Sequence, residues 1–450
     1  MNQNSNSINK IFNSFFTKEI RILIGLGLLF RALLSVLYFH VTIFPDSEGY
    51  LFLAKKISEF NLDFYNGERS LGYPLFISLA FNSVVVTVVY QVFLGIITSV
   101  YWYKTILNFN FSSKKALCLT LFLQSFLQIH FYERIILVES LTLFFVSLLF
   151  YYLSSDYLES KNIKKDLAVG FVLGILVLIK PFYAFIPFVI YGLSVIKNFR
   201  FSKFISSKII ILIFPLLAYF GWSYVNKVNT GYFVSTTFFG LNLSQNCVYF
   251  AEKTTQEYHW IGSVYAKTRE NIIVQNKKLQ PENRKEEAMT IWDAQNELIK
   301  KTDHNFPKLS AVLGRYAIAT IKKNPLEYAK QVVLRSWFDF WKPKLYWNYN
   351  NFSFPFVNKI FLGIWYLQTL LIWFFKLSFV FLIPYYLIQF FKNRIISKEV
   401  VFITIIFAVS VLQALVTYGG NARFSFPFEY IMMLVVILFI KENFNKKKAL

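Results

Sequence analysis

The sequence predicts an all-α polytopic membrane protein with about ten transmembrane helices and one mixed external segment. Three observations carry that expectation. Over 450 residues the chain is 56% hydrophobic and 20% aromatic, and several nearly uncharged runs reach the roughly 20 residues that a helix needs to cross a bilayer. These runs lack the period-two alternation of an outer-membrane barrel. The lysines and arginines behind a formal charge of +22 gather in short loops between the runs, as the positive-inside rule expects. That distribution argues against nucleic acid as a partner. Two cysteines, Cys118 and Cys247, and four scattered histidines offer neither a disulfide framework nor a zinc site. The polar segment 1–18 precedes an apolar run too long for a cleavable signal peptide, with no small-residue cleavage site.

Taken in order, Lys10, Lys18 and Arg21 place the N terminus in the cytoplasm ahead of a first span at 22–44. An external loop, 45–82, follows. In it Tyr50, Leu53, Ala54, Ile57 and Phe60 recur at helical spacing, which predicts a helix lying at the membrane surface. Asn66-Gly67 is a turn signal. Further spans fall at 84–107, 116–130, 135–153, 167–179, 182–196 and 209–225, with Lys104, Lys114, Lys115, Lys161, Lys164, Lys165, Lys197, Arg200, Lys203 and Lys208 at cytoplasmic ends. Residues 1–228 form an N-terminal membrane domain and 229–355 an external, periplasmic-side segment. A strand-like stretch at 232–242 opens that segment. An amphipathic helix at 281–301 follows, with Ala288, Ile291, Trp292, Gln295 and Leu298 on one side. Pro307 and Pro325 suit the first turns of two more helices. The C-terminal membrane part, 356–450, holds an overlong span within 357–391 and two more at 400–417 and 425–440. Both termini are then cytoplasmic, in a bacterial-type inner or cell membrane. No internal repeat is evident.

The informative stretch is Phe44-Pro45-Asp46-Ser47-Glu48-Gly49-Tyr50, with two carboxylates one residue apart where the first span reaches the surface. A plainer reading is that Asp46 or Ser47 caps the helix beginning near Tyr50. With the topology fixed, however, the external span ends also carry Arg69, Glu133, Arg134, Glu139, Lys180 and Arg423. Each alone has an ordinary explanation: Lys180 snorkels to the interface, Arg134 pairs with Glu133, Arg423 is a solvated loop charge. Their convergence on one face is harder to explain away, because a charge at a helix centre costs roughly 2.5–3.5 kcal/mol on insertion scales. Glu139, a turn inside its span, needs a partner. Arg31, midway along the first span, reads as a buried structural cation.

Carboxylates and cations at a membrane-embedded site suit a particular chemistry. A carboxylate can take a proton from an attacking hydroxyl, or Asp46 and Glu48 can hold a divalent metal. Arginine and lysine can neutralise a lipid phosphate as it leaves. The lipid tail would lie among the spans.

On these residues the sequence resembles the GT-C superfamily of polyprenyl-phosphate-sugar glycosyltransferases, in particular glycosyltransferase family 39 and its bacterial relatives, the protein O-mannosyltransferases and the lipid A aminoarabinose transferase. Asp46 and Glu48 stand at the acidic pair after the first span. The run from Arg69 through Tyr73 and Pro74 resembles the family's Arg-x-Pro-Gly-Tyr-Pro segment, Glu139 its acidic start of the fourth helix, and Lys180-Pro181 its Arg-Pro. Stretches at 235–246 and 324–341, and Arg423 with Pro427, also resemble family segments. Leu71 replaces a common proline, Lys180 a common arginine, and Ser47 separates the acidic pair. The resemblance implies an inverting transfer from a polyprenyl-phosphate sugar to a lipid, glycan or protein acceptor on the external face. It implies a base at Asp46 or Glu48, donor-phosphate contacts from Lys180, Arg423 and Arg69, and support from Glu139 and Tyr73. A divalent metal at Asp46 and Glu48 stays open as a cofactor, and no other is indicated. The competing classes are a lipid-linked oligosaccharide flippase or other transporter, and an O-antigen polymerase or ligase. A transporter would show internal repeats and charges near mid-membrane, whereas here the charges sit at one face.

Overall fold

A computed structural model describes residues 17–197, 207–280 and 283–449. Lys10, Arg200, Lys203 and Pro281, used above, lie outside them. The chain is an all-α polytopic membrane protein. Among the described residues six helices are long and apolar enough to cross a membrane, and two shorter apolar helices accompany them.

The elements run α1 (Lys18–Leu37), α2 (Pro45–Ser58), α3 (Gly72–Leu79), α4 (Val84–Leu107), α5 (Ser113–Gln124), α6 (Leu127–Tyr132), α7 (Glu139–Ser154), α8 (Ile163–Ile179), α9 (Ile186–Lys197) and α10 (Ile213–Thr230). A cap follows with α11 (Phe239–Gln245), α12 (His259–Lys278), α13 (Thr290–Leu298), α14 (Phe306–Lys323), α15 (Pro325–Gln331) and α16 (Trp337–Trp341). The chain closes with α17 (Pro355–Asn393), α18 (Lys398–Val416), α19 (Ala422–Ser425) and α20 (Glu429–Ala449). The outer faces of α1 and α10 are apolar and uncovered, with Leu29, Val36, Leu217 and Val228 each more than 60% exposed. In water such stripes would be untenable; against lipid they cost nothing.

Several local expectations change. The helix in the first loop begins at Pro45 rather than near Tyr50, because proline's fixed φ and missing N–H suit the first helical position. Ser47 caps it, its Oγ accepting from the Phe44 N–H at 3.0 Å. The span expected at 116–130 is broken between α5 and α6. Its second half is held instead by polar contacts, with Gln368 accepting from the Leu127 N–H at 2.8 Å and donating to the Ser125 carbonyl at 2.8 Å. The overlong span is a single 39-residue helix, about 58 Å at 1.5 Å per residue, well beyond a hydrocarbon core of about 30 Å.

The segment expected outside the membrane, 229–355, is helical, not mixed. The described residues contain one isolated β-bridge, between Thr42 and Ile135, and no strand. The stretch expected as a strand has no regular structure up to Thr236, turns at Thr237 and Phe238, and enters α11. Its Thr236 and Thr237 hydroxyls donate to the carbonyls of Glu68 and Asn66 and the Thr237 N–H to that of Gly67 at 2.9 Å, so one backbone bond and two side-chain bonds take the place of a strand ladder. The helix expected at 281–301 is shorter, with Ile291, Ala294 and Leu298 as its buried stripe and Ala288 buried in the turn before it. Pro307 and Pro325 do sit in the first turns of α14 and α15. The cap has its own core, including Leu241, Phe250, Tyr265, Ile291, Leu313 and Tyr316. It is tied to α18 by Asn246 Nδ2, which donates to the carbonyls of Ala414 and Leu415.

Arg31 is buried, as its position in the first span predicts. Its partner is Glu133, with Nε donating at 2.8 Å, and not a surface group. Arg134 therefore does not pair with Glu133; it donates to the Arg31 carbonyl and to Ser35 Oγ. Gly95 makes the room: a Cβ there would lie 1.8 Å from Glu133 Oε1. Removing one partner of a buried pair strands the other charge, at about 3–5 kcal/mol. Glu133→Gln is therefore expected to lower unfolding stability in detergent by that amount, and the double variant Arg31→Met with Glu133→Leu to recover most of it. A Glu133→Gln variant as stable as wild type would contradict this account.

Candidate functional site

Of the seven residues that the resemblance assigns to the site, five meet in one chain of ion pairs. Asp46 accepts from Arg69 Nη2 at 3.0 Å on one carboxylate oxygen and from Arg423 Nη1 at 2.8 Å on the other. Arg423 Nε donates to Glu139 Oε1 at 3.1 Å, and Lys180 Nζ reaches the same oxygen at 3.4 Å. Three cations thus face two carboxylates, leaving one positive charge in excess. The chain runs from an open end to a closed one: the Asp46 side chain is 41% exposed and that of Glu139 not at all.

Each position follows from local chemistry. Asp46 lies in the first turn of α2, where a negative charge meets the positive end of the helix dipole. Glu139 begins α7 on the same terms. Lys180 ends α8 because Pro181 follows, and the residue before a proline is pushed out of helical conformation; its φ of −140° and ψ of 106° are extended. Arg423 sits in the short α19 behind Gly419 and Gly420, whose positive φ values of +95° and +70° turn the chain back toward the bundle. The Asn421 N–H donates to Asp339 at 3.0 Å and holds that turn. The Arg69 backbone is pinned through its carbonyl, which accepts from Trp222 Nε1 at 3.2 Å and from the Tyr65 hydroxyl.

Two glycines let these arms close. A Cβ at Gly49 would lie 2.8 Å from Arg69 Nε, and one at Gly72 would lie 2.7 Å from the Ile179 nitrogen. The second contact brings the Arg69 arm against the end of α8, next to Lys180. Aromatic rings complete the walls. The Arg69 guanidinium lies between Tyr50 at 4.5 Å and Phe238 at 4.8 Å, and Lys180 Nζ lies over Phe424 at 4.1 Å. Such contacts hold a cation while leaving its N–H groups free for an anion. Glu139 Oε2 is buried and has no hydrogen-bond partner among the described residues.

Tyr73 is brought in as a support. It is fully buried, stands edge-on to Tyr50 at 5.2 Å, and donates to Gln91 Oε1 at 2.9 Å. Glu48 is not brought in. Residues two apart on a helix point to different sides, and Glu48 is exposed with no ion pair or hydrogen bond among the described residues. With both Asp46 oxygens taken by arginines and Glu48 turned away, the pair does not form a metal site. No group of three or more His, Cys, Asp or Glu side chains gathers elsewhere among the described residues. The capping alternative for Asp46 also fails, since Ser47 does that work.

Sequence reading missed Tyr50 and Phe238. Tyr50 had a usable signal, lying four residues from Asp46 and so on the same helix face. Phe238 had none, being 169 residues from the arginine it covers.

No family model matches the chain, and no curated protein matches it. Among solved structures the chain is similar to ArnT from Cupriavidus metallidurans, crystallised with undecaprenyl phosphate. The identity is 10% over 94% of this chain and 77% of that one, with a TM-score of 0.36. At that level the site here has to be read from its own geometry.

Burial raises the Asp46 carboxyl, but the Arg423 and Arg69 charges and hydrogen bonds outweigh it and hold the group at about 2, against an ordinary 3.8. A depressed carboxylate contributes stability above its unfolded value and loses it as pH falls through the folded one. The Asp46 contacts are therefore expected to be intact from neutral pH down to about 4 and to be lost between there and about 2. An infrared carboxylate titration of wild type minus Asp46→Asn measures this. A midpoint near 4 would show that the two arginines do not hold the carboxylate.

Proposed function

We propose that the protein is an inverting membrane glycosyltransferase that moves a sugar from a polyprenyl-phosphate donor to an acceptor on the external face of the membrane. The observation that supports this most is the ion chain at one end of an apolar bundle, cationic by one charge and open at Asp46. A phosphate on a lipid tail is what such a place suits: the tail has apolar helices to lie among, and the head has Arg423, Lys180 and Arg69. Charge-assisted contacts to phosphate are the strong class of hydrogen bond. The same face accounts for the cap and the surface helix as walls for an acceptor.

In this reading Asp46 is the general base. Held near 2 by two arginines, it is a poor proton acceptor while both contacts persist. A donor phosphate competes for the same guanidiniums. As Arg423 and Arg69 turn toward it, Asp46 loses their stabilisation and becomes a stronger base at the moment the donor is in place. Inversion needs one direct displacement, so one base suffices: Asp46 takes the acceptor hydroxyl proton, the hydroxyl oxygen bonds to the anomeric carbon, and the lipid phosphate leaves with the bonding electrons. Glu139, with one oxygen unpartnered, keeps Arg423 and Lys180 aimed after the donor binds. Glu48, at the exposed side of α2, is a contact for the acceptor rather than a second base.

The test is turnover of a panel of polyprenyl-phosphate sugars by the purified protein. General-base assistance is worth about 10²–10⁴-fold, so Asp46→Asn is expected to lose that much turnover while still folding and binding donor. Near-wild-type turnover in Asp46→Asn would remove the base assignment. Absence of transfer with every sugar in the panel, from protein that binds the lipid phosphate, would favour a lipid-handling protein over an enzyme.

A further inference from the structure

Away from the ion chain, the cap contains a groove of about 220 Å³ between the extended segment after α10 and helix α14. A buried water occupies about 10–15 Å³ by the same kind of measure, so the space is that of a hydrocarbon chain rather than of a few waters. Its walls are mainly apolar, including Val234, Phe239, Pro307 and Ile318, with Ser310 and Arg315 among the polar groups. The floor is rigid. A Cβ at Gly240 would lie 1.8 Å from the Ser310 carbonyl oxygen, so α11 and α14 meet backbone to backbone.

Two features identify what fills it. The first is continuity with the lipid-facing surface. Leu217, Phe220, Tyr224 and Val228 form an exposed stripe along α10, three and four residues apart. Phe233, itself half exposed, stacks on Phe220 with ring centroids 6.3 Å apart and leads directly to Val234 in the groove wall. An apolar chain lying on α10 can therefore enter the groove without crossing water. The second is charge. Arg315, exposed on α14, lies beside the Tyr258 side chain and makes no ion pair among the described residues.

We propose that this groove holds an acyl chain of a membrane phospholipid whose anionic head group sits at Arg315, a lipid site separate from the ion chain. One wall is shared between the two. Thr236 and Thr237 line the groove and are hydrogen-bonded to the carbonyls of Glu68 and Asn66, in the arm that delivers Arg69, and Phe238 between Thr237 and Phe239 covers the Arg69 guanidinium. Occupancy of the groove thereby stiffens the arm that carries Arg69.

Native mass spectrometry of the delipidated full-length protein tests this, titrated with phosphatidylglycerol or with phosphatidylcholine of the same acyl chains. Wild type is expected to retain one phosphatidylglycerol at least tenfold more tightly than phosphatidylcholine. Ala311→Trp, which fills the groove, is expected to lose that molecule. Arg315→Gln, a change at an exposed side chain that leaves folding intact, is expected to bind both lipids alike. Equal retention of the two lipids by wild type, an undiminished site in Ala311→Trp, or unchanged selectivity in Arg315→Gln would each overturn the proposal. No sugar donor is present in the experiment, so its result stands apart from the transferase reading.

Discussion

The contact between Arg423 and Asp46 joins α19 to α2 across 377 residues of sequence. Neither group could stand alone where it is. Arg423 is 18% exposed, and its Nε is committed to a carboxylate that is not exposed at all. An unpaired charge in such surroundings is expensive. The pairing therefore fixes where α2 and α19 sit relative to each other, and the glycines that permit it follow as consequences. Gly49 admits Arg69, Gly72 lets the Arg69 arm touch α8, and Gly419 with Gly420 returns the chain so that Arg423 points inward.

A second buried pair, Arg31 with Glu133, shows the same physics used for a different end. It is 3% exposed on both sides, and Gly95 and Gly27 leave space around it. Arg134 beside it spends its guanidinium on the Arg31 carbonyl and Ser35 Oγ, and no open end leads to the group. The ion chain at Asp46 differs in being open. A closed, neutral pair specifies packing. An open chain with one spare positive charge keeps an unmet demand for an anion, and that demand underlies the functional proposal.

How legible this was in the sequence depends on the physics of each residue. Arg69, Glu139, Lys180 and Arg423 stood out because charges at span ends are rare and costly, and the structure brings all four to Asp46. Glu48 was misleading, since adjacency in sequence is not adjacency on a helix. The pairing of Glu133 was missed for a similar reason: Arg134 is next to it in the chain, but Arg31, 102 residues away, faces it across the bundle. The stretch at 232–242 is rich in Tyr, Phe, Val and Thr and reads as a strand by composition. With no partner strand beside it, the hydrogen bonds of Thr236 and Thr237 to the 66–68 carbonyls and the start of α11 decided its conformation. Amphipathic spacing located α13, but buried neighbours set where it begins.

The central claim is that the excess positive charge of the chain of ion pairs recognises a lipid-borne phosphate. The most direct measurement compares binding of a polyprenyl phosphate with that of the corresponding polyprenol, which shares the tail and lacks the charge. Hydrogen bonds to charged groups contribute about 1.5–3 kcal/mol each, so two such contacts predict that the phosphate binds about 100-fold more tightly or better. That preference should fall sharply when Arg423 is replaced by Gln. Equal affinity for the phosphate and the alcohol would contradict the account.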